Sequence, residues 1–342
     1  MSSRIFITGG TGFIGSQVVL DALKAGLRLR LSVRRESQVE EIKARFAQYT
    51  SQLEFVIIPS IDNTEAIRSA LSNDVNAIFH LASPMPGKGD DFKTEYLQPA
   101  VAGTEAILTA AADAPTVRRV IIMSSILALM PLGGMNTPGL EVKTGVNPTL
   151  AVDAEMPFPP GPAGYGAKYS ASKILAHRAT IEWMRAREPQ FSLVTLHPTF
   201  VLGRDLTQRT SKPNGINAFL MTTLTNPPEG KPVVPASMVD VRDVSLAVLH
   251  GLDVELARGG LVTEYLVAGN PTSYDDVVEF VKKQYPEIPI NIEGPYDKPF
   301  TADTSRTEKE LDITRWHTME EIVASVLDQQ LDIRGREGRV AL

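Results

Sequence analysis

The sequence of 342 residues contains no cysteine. Disulfide bonds, thiolate metal sites and cysteine nucleophiles are therefore excluded, and nothing in the composition requires an oxidising compartment. No stretch approaches the roughly 20 consecutive apolar residues of a membrane-spanning helix. The first residues run into a short apolar segment without the core of a signal peptide, and the last three form no retention or peroxisomal signal. We therefore expect a cytoplasmic protein without membrane association.

Cationic residues are also too few for some classes of partner. Lys and Arg number 34 against 40 Asp and Glu, which gives a net charge of −6. No segment concentrates enough positive charge to attract a nucleic-acid backbone, so we expect no nucleic-acid partner. The chain is long enough for one large or two medium domains with buried cores.

What the sequence does contain is a glycine-rich turn near its start. The apolar run Ile5–Ile7 is followed by Gly9, Gly12 and Gly15, and then by a helical stretch. Such glycines allow a sharp turn, a close approach to a pyrophosphate and tight packing of the helix on its strand. The helix N-terminus then offers free N–H groups to the phosphates. This strand–turn–helix context indicates a dinucleotide site; a helix cap in another α/β protein is the alternative.

Strands and helices alternate after this turn. Apolar strands are predicted at 27–33, 53–58, 77–82, 117–123 and 191–196. Strands that are apolar on both faces and separated by helices indicate a parallel sheet covered on both sides. The sequence therefore predicts an α/β fold with a Rossmann-type doubly wound parallel sheet, and a ligand crevice at the carboxyl ends of its strands.

The regular alternation weakens in the second half of the chain. We assign residues 1–197 to the dinucleotide-binding domain and residues 198–342 to a smaller, discontinuous substrate-binding lobe. A helix over 239–252 is expected to return to the sheet domain. The Pro- and Gly-rich segment 130–166 is interpreted as a long loop that faces the substrate, with a disordered linker as the alternative.

Four side chains have a pattern that suits carbonyl chemistry. Tyr169 and Lys173 are four residues apart, hence on one face of the longest predicted helix, 165–187. A fixed ammonium beside a phenol favours the phenolate and suits the tyrosine to acid–base work near neutral pH. Ser124 and Ser125 end a strand at the carboxyl edge, where a hydroxyl can donate to a substrate oxygen that gains charge. Each pattern also has a purely structural interpretation, because Tyr–Lys pairs occur on solvated helices and serines cap strand ends.

Cofactor choice depends on the end of the second strand. A carboxylate there would bind the ribose 2′-hydroxyl of NAD, whereas an arginine would pair with the 2′-phosphate of NADP. Val33 is followed by Arg34 and Arg35, so the sequence predicts NADP(H). Unpartnered surface arginines are the alternative, and Glu36 is the rival carboxylate.

With these elements in this order, the chain resembles the extended short-chain dehydrogenases/reductases. Within that family it looks most like the branch of dihydroflavonol reductases and fungal aldehyde or ketone reductases. The segments that carry this likeness are the glycine turn 8–15, His80-Leu81-Ala82-Ser83-Pro84, 99–104, 197–203 and 239–244.

The resemblance implies a reductase in which Tyr169 donates a proton to the carbonyl oxygen, Ser125 positions that oxygen, and Lys173 binds the nicotinamide ribose. It favours Ser125 over Ser124. Pro198 and Val201 would line the nicotinamide side, and Leu81 and Ala82 the phosphate and ribose portion. The cofactor-binding residues expected in all are Gly9, Gly12, Phe13, Ile14, Arg34, Ser60, Ile61, Leu81, Ala82, Tyr169, Lys173, Pro198 and Val201.

Three features depart from the branch pattern. Ser60 stands where relatives often carry an aspartate that contacts adenine, and Glu41 stands where relatives have a second basic residue for the 2′-phosphate. The separation of Ser125 from Tyr169 is long for the family, which predicts an expanded loop over the substrate.

These observations predict an NADPH-dependent reductase of a largely apolar aldehyde or ketone. An epimerase or dehydratase that retains NAD is the enzymatic alternative, and a dinucleotide-sensing regulator is the non-catalytic one. His80 and His197 are interpreted as buried, hydrogen-bonded histidines, and no metal site is expected. Monomer and homodimer both remain open.

Overall fold

The computed structural model describes residues 4–83, 89–256, 261–296 and 298–340. Strands within these residues are β1 (Arg4–Thr8), β2 (Arg28–Val33), β3 (Leu53–Ile57), β4 (Val75–His80), β5 (Arg119–Met123), β6 (Glu141–Val142), β7 (Ser192–Pro198), β8 (Phe200–Leu202), β9 (Met238–Asp240), β10 (Val262–Val267) and β11 (Thr301–Ala302). Helices are α1 (Phe13–Lys24), α2 (Ser37–Arg45), α3 (Thr64–Ala70), α4 (Gln98–Ala112), α5 (Pro162–Arg187), α6 (Gly215–Thr225), α7 (Val241–His250), α8 (Tyr274–Gln284), α9 (Ser305–Glu310) and α10 (Met319–Val340).

Seven parallel strands form the central sheet, in the order β10-β7-β5-β4-β1-β2-β3. Alternate residues of β1 point to opposite faces, so Phe6 packs in one hydrophobic cluster while Ile5 and Ile7 pack in another. All three are 5% exposed or less, because helices cover both faces of the sheet. The predicted doubly wound parallel fold is confirmed.

Of the two edge strands, β3 is predicted from the sequence and β10 is not. Thr263 and Glu264 interrupt its apolar run, which hides the pattern of a buried strand. In the fold β10 pairs in parallel with β7, with Glu264 opposite Thr195. A polar side chain is thereby carried into the interior, where Glu264 is 6% exposed.

The predicted returning helix corresponds to α7, which packs against α1 on one face of the sheet. Val244 and Val248 share a hydrophobic cluster with Val18, and the Ser245 hydroxyl donates to Asp21 Oδ2 at 2.8 Å. A separate cluster joins apolar residues of α6, α8 and α10. The division of the chain at residue 197 stays a prediction.

Polar contacts fasten the long Pro- and Gly-rich segment to α5. The buried Asn147 donates from Nδ2 to the carbonyls of Ala128 and Ile174, at 2.7 and 3.0 Å. Arg178 of α5 donates to the carbonyls of Val152 and Leu150 at 2.8 and 2.7 Å. This part of the segment is therefore packed rather than a free linker, while its contact with substrate stays a prediction.

Among the described helices, none has the length and apolar character to cross a bilayer.

An ion pair joins α7 to the segment before α10. His317 Nδ1 lies 2.6 Å from Asp243 Oδ1, and its backbone N–H donates to Asp243 Oδ2 at 3.0 Å. Asp243 is 2% exposed. The hydrogen bond from the His317 ring to this carboxylate raises the pKa of His317 above its ordinary value of 6.5.

We predict that His317→Asn lowers the free energy of unfolding more at about pH 6 than at about pH 9. Because the folded-state pKa is raised, the charged pair contributes fully below the unfolded pKa of about 6.5, and the contribution is lost as the pH rises through the folded value. Urea unfolding of wild type and variant at both pH values measures the difference. An equal loss at both would contradict a charged His317.

Candidate active site and cofactor cleft

Close backbone packing explains two of the three glycines in the first turn. Gly9 has φ +77°, and a Cβ on it would lie 2.4 Å from the backbone nitrogen of Ala82. A Cβ on Gly15 would lie 2.0 Å from the Gly9 carbonyl oxygen. A Cβ on Gly12 would meet only that same oxygen, at an ordinary 3.5 Å. Packing therefore requires Gly9 and Gly15, whereas Gly12 leaves the start of α1 bare toward a ligand.

The ends of β1 and β4 are held together beside this turn. Thr8 Oγ1 lies 2.8 Å from His80 Nδ1, and the Leu81 N–H donates to the Thr8 carbonyl at 3.1 Å. Burial, together with the nearby charge of Lys173, lowers the pKa of His80 to about 4. His80 is thus a neutral, buried, hydrogen-bonded side chain at neutral pH.

A cleft of about 320 Å³ opens at the glycine turn. Six of the predicted cofactor-binding residues line it, namely Gly9, Gly12, Arg34, Ile61, Leu81 and Ala82. The backbone N–H of Arg34 donates to Gln38 Oε1 at 2.8 Å, which ties the end of β2 to α2. The side chain of Arg35 instead donates from Nε to the Ser37 hydroxyl at 3.0 Å. Of the two arginines, Arg34 is the one at the cleft.

The remaining predicted cofactor residues do not line this cleft. Phe13 and Ile14 pack against the hydrophobic core below α1. Ser60 is exposed, and its hydroxyl donates to Asp62. Pro198 ends β7 as a buried residue, and Val201 of β8 is 6% exposed within the core. Pro84, which completes the sequence motif after His80, lies outside the described residues.

Tyr169 and Lys173 lie side by side, and Lys173 contacts Ser83, which lines the cleft. Lys173 is 9% exposed; its Nζ lies 5.3 Å from the centroid of the Tyr169 ring and donates to the Ser83 hydroxyl at 2.7 Å. A smaller cavity, lined in part by Lys173 and Ser124, shares three lining residues with the cleft. The shared residues are Ile61, Ala82 and Ser83. The two spaces are therefore adjacent, and together they extend from Arg34 to Lys173.

Ser125 begins a tight turn, Ile126–Leu129, at the carboxyl end of β5. Its hydroxyl accepts the Leu127 N–H at 3.3 Å, and its carbonyl accepts a hydrogen bond from His197 Nδ1 at 3.0 Å. Leu127, two residues after Ser125, shares a hydrophobic cluster with Tyr169. Ser124 lies instead at the cavity near Lys173. The preference for Ser125 stays a prediction.

Sequence reasoning missed a buried cluster behind Ser125. Ligand-type atoms of His177, His197 and Glu264 all lie within 4.8 Å of one another among the described residues. The sequence predicts His197 to be a buried, hydrogen-bonded histidine, but it does not indicate that His177 and Glu264 lie beside it. The available signal was spacing, because His177 follows Lys173 by four residues and extends the stripe of Tyr169 by one more turn.

Known proteins that resemble this chain cover it almost completely. Residues 5–253 match the model of the NAD dependent epimerase/dehydratase family. Ketoreductase sphI of Aspergillus fumigatus is 34% identical over 336 residues, 96% of this chain and 97% of the relative. Ketoreductase azaE of Aspergillus niger is 28% identical over 330 residues, 92% of this chain and 94% of the relative. Yeast methylglyoxal/isovaleraldehyde reductase Gre2, solved in complex with NADPH, has the same fold, with TM-score 0.82, 21% identity and coverage of 97% and 99%.

We predict opposite outcomes for two alanine substitutions in the first turn. Gly15→Ala is expected to lower the free energy of unfolding by about 2 to 3 kcal/mol, because its Cβ collides with backbone. Gly12→Ala is expected to cost no more than about 1 kcal/mol, yet to raise the NADPH dissociation constant about tenfold by obstructing the pyrophosphate. Urea unfolding and fluorescence titration measure the two effects. Undiminished NADPH affinity in Gly12→Ala would remove the pyrophosphate from this turn.

Proposed function

We propose that this chain, which belongs to the NAD dependent epimerase/dehydratase family, is an NADPH-dependent reductase of aldehydes or ketones. Membership confirms the resemblance to the extended short-chain dehydrogenases/reductases and their fungal reductase branch. The comparisons also confirm the coarser expectations of an oxidoreductase and of NADP(H) as its cofactor. The observation that carries the proposal is the pair of adjacent spaces that extends from Arg34 to Lys173, whose ammonium lies 5.3 Å from the centroid of the Tyr169 ring.

The residues around this space fit a dinucleotide phosphate. Gly12 leaves the start of α1 without a side chain, where backbone N–H groups suit a pyrophosphate. The exposed guanidinium of Arg34 suits a 2′-phosphate, because planar arginine pairs well with phosphate oxygens. An ammonium has three donors, so Lys173 can bind Ser83 and a ribose hydroxyl together. Bound NADPH would supply the hydride.

The reacting side chains are Ser125, Tyr169 and Lys173. Hydride adds to the carbonyl carbon, and the carbonyl oxygen takes the proton of the Tyr169 phenol to complete the alcohol. The Lys173 ammonium, 5.3 Å from the centroid of the Tyr169 ring, stabilises the phenolate that remains. Ser125 donates a hydrogen bond to the same oxygen as negative charge develops there.

We propose that the substrate is largely apolar. Tyr169 packs on a hydrophobic cluster that includes Leu127, Met130 and Phe300. The surroundings of the proposed proton donor are therefore apolar. The relatives sphI and azaE are named ketoreductases, and Gre2 is named a reductase of methylglyoxal and isovaleraldehyde. A better turnover of nucleotide-sugars than of aromatic or aliphatic carbonyls would contradict this proposal.

The family also contains epimerases and dehydratases, which form the alternative function. Such an enzyme returns the hydride within one turnover and keeps its NAD bound. Arg34 at the cleft supports NADP(H), which a net reductase exchanges in each cycle. A non-catalytic dinucleotide sensor would need neither the Tyr169–Lys173 pair nor Ser125. The substrate, the direction of the reaction and the cytoplasmic location stay predictions.

We predict that Arg34→Ala weakens NADPH binding by about tenfold or more and leaves NADH binding within about twofold, because a charge-assisted contact to phosphate is lost. Arg35→Ala is the matched control, because its guanidinium is bonded to Ser37. Titrations that follow nicotinamide fluorescence measure both cofactors. Preference for NADH in the wild type, or NAD that copurifies, would favour the epimerase alternative.

We predict that Tyr169→Phe lowers kcat for carbonyl reduction by about 10² to 10⁴ while the NADPH dissociation constant changes less than about twofold. Phenylalanine keeps the ring of this expected cofactor-binding residue and removes only the proton donor, so the chemical step is affected far more than cofactor binding. Tyr285→Phe is the control, because its hydroxyl donates to Asp328 at 2.9 Å in a separate cluster. Undiminished turnover in Tyr169→Phe would exclude the tyrosine as the acid and revive the sensor interpretation.

A further inference from the structure

We propose that the buried Glu264–His177 pair is a positioning device for Ser125. The pair orients the ring of His197, which holds the backbone of Ser125 in place for the substrate oxygen. The inference rests on the proposed reductase function, because it assigns Ser125 a role in that reaction. His177, His197 and Glu264 are positioning residues, since they act through Ser125 and not on the substrate.

His197 contacts the backbone of Ser125 directly. Its Nδ1 lies 3.0 Å from the Ser125 carbonyl, and a carbonyl only accepts, so Nδ1 carries the proton. Burial, together with the nearby His177, lowers the pKa of His197 to about 3, so the ring is neutral at working pH. A neutral imidazole has one N–H, which leaves Nε2 to accept from the Thr195 hydroxyl at 2.9 Å. The hydrogen bonds therefore fix one tautomer of His197.

Glu264 holds the second ring of the cluster. His177 Nε2 lies 2.7 Å from Glu264 Oε1, and the His177 and His197 rings meet edge to face with centroids 4.6 Å apart. Burial alone would raise the pKa of Glu264, but the hydrogen bonds from His177 and from the Gly145 N–H favour the carboxylate and lower that pKa. The ionised carboxylate therefore fixes the plane of His177, and His177 packs against the ring that holds Ser125.

A second route leads from Glu264 to the turn that Ser125 begins. The Gly145 N–H donates to Glu264 Oε2 at 2.5 Å, and two residues later Asn147 Nδ2 donates to the Ala128 carbonyl at 2.7 Å. Ala128 in turn donates its N–H to the Ser125 carbonyl at 3.0 Å. One carboxylate thus supports both ends of the Ser125 turn, from β10 at the edge of the sheet.

The same three residues could be considered a metal site, because two imidazoles and a carboxylate are a common ligand set for zinc. The hydrogen bonds argue against it. Both ring nitrogens of His197 are engaged by Ser125 and Thr195, and both oxygens of Glu264 are engaged by His177 and Gly145. Binding an ion would require breaking several of these contacts.

A double-mutant cycle tests the proposal, with kcat measured for wild type, Glu264→Gln, Ser125→Ala and the combined variant. Glutamine keeps the size of the side chain but removes the charge that fixes His177. We expect Glu264→Gln to lower kcat about tenfold in the wild type and less than about twofold in the Ser125→Ala background. The NADPH dissociation constant should change less than about twofold. An equal loss of kcat in both backgrounds would overturn the proposal.

Asp243→Asn is the matched control, because it disrupts another buried carboxylate–histidine pair, with His317, that does not touch Ser125. We expect it to lower Tm without lowering kcat. A loss of kcat in Asp243→Asn equal to that in Glu264→Gln would reduce the proposal to general destabilisation. Wild-type kcat in Ser125→Ala would instead contradict the proposed function, which separates the two failures.

A spectroscopic readout applies even where turnover is too slow to measure. The chain has five histidines, so ¹⁵N-histidine spectra can be assigned by single substitutions. We expect the Nδ1–H tautomer for His197 in the wild type, a changed ring signal in Glu264→Gln and an unchanged one in Asp243→Asn. The Nε2–H tautomer in the wild type would overturn the proposal. So would stoichiometric Zn²⁺ binding that Glu264→Gln abolishes.

Discussion

The close approach of the first turn to the end of β4 is the constraint on which the cofactor cleft depends. Gly9 brings its backbone against Ala82 so tightly that a single added carbon would not fit. Gly9 and Ala82 both line the cleft, so this contact fixes part of its wall. A buried hydrogen bond between Thr8 and His80 holds the same two segments together. The position of Ser83, and through it Lys173, follows from the same junction.

Helix α5 connects the cofactor cleft to the interior of the sheet. Tyr169, Lys173 and His177 are spaced four residues apart, so their side chains lie along one face of α5 on successive turns. The tyrosine packs on an apolar cluster, the lysine bonds to Ser83 after the end of β4, and the buried histidine bonds to Glu264. Rigid placement on one helix fixes the relative positions of these groups more closely than separate loops would.

Much of the fold was predictable from the sequence because its strands are apolar on both faces and its glycines mark the first turn. Gly9, Arg34 and Ala82 lie in short sequence motifs and line one cleft, while their contact with a cofactor stays a prediction. The cluster behind Ser125 was not, because Glu264 belongs to a strand whose polar residues conceal its burial. Contacts between residues 145 and 264 likewise depend on sheet order, which local patterns do not specify.

The position of Glu264 in the chain has a consequence for the order in which the protein is completed during synthesis. The motifs that indicate the chemistry, from Gly9 to Lys173, precede residue 264 in the chain and are therefore synthesised before it. Until β10 joins β7, the Ser125 turn lacks the carboxylate that supports it from both sides. A chain that ends before residue 262 would therefore carry the motifs from Gly9 to Lys173 but would lack β10, the last strand to join the central sheet.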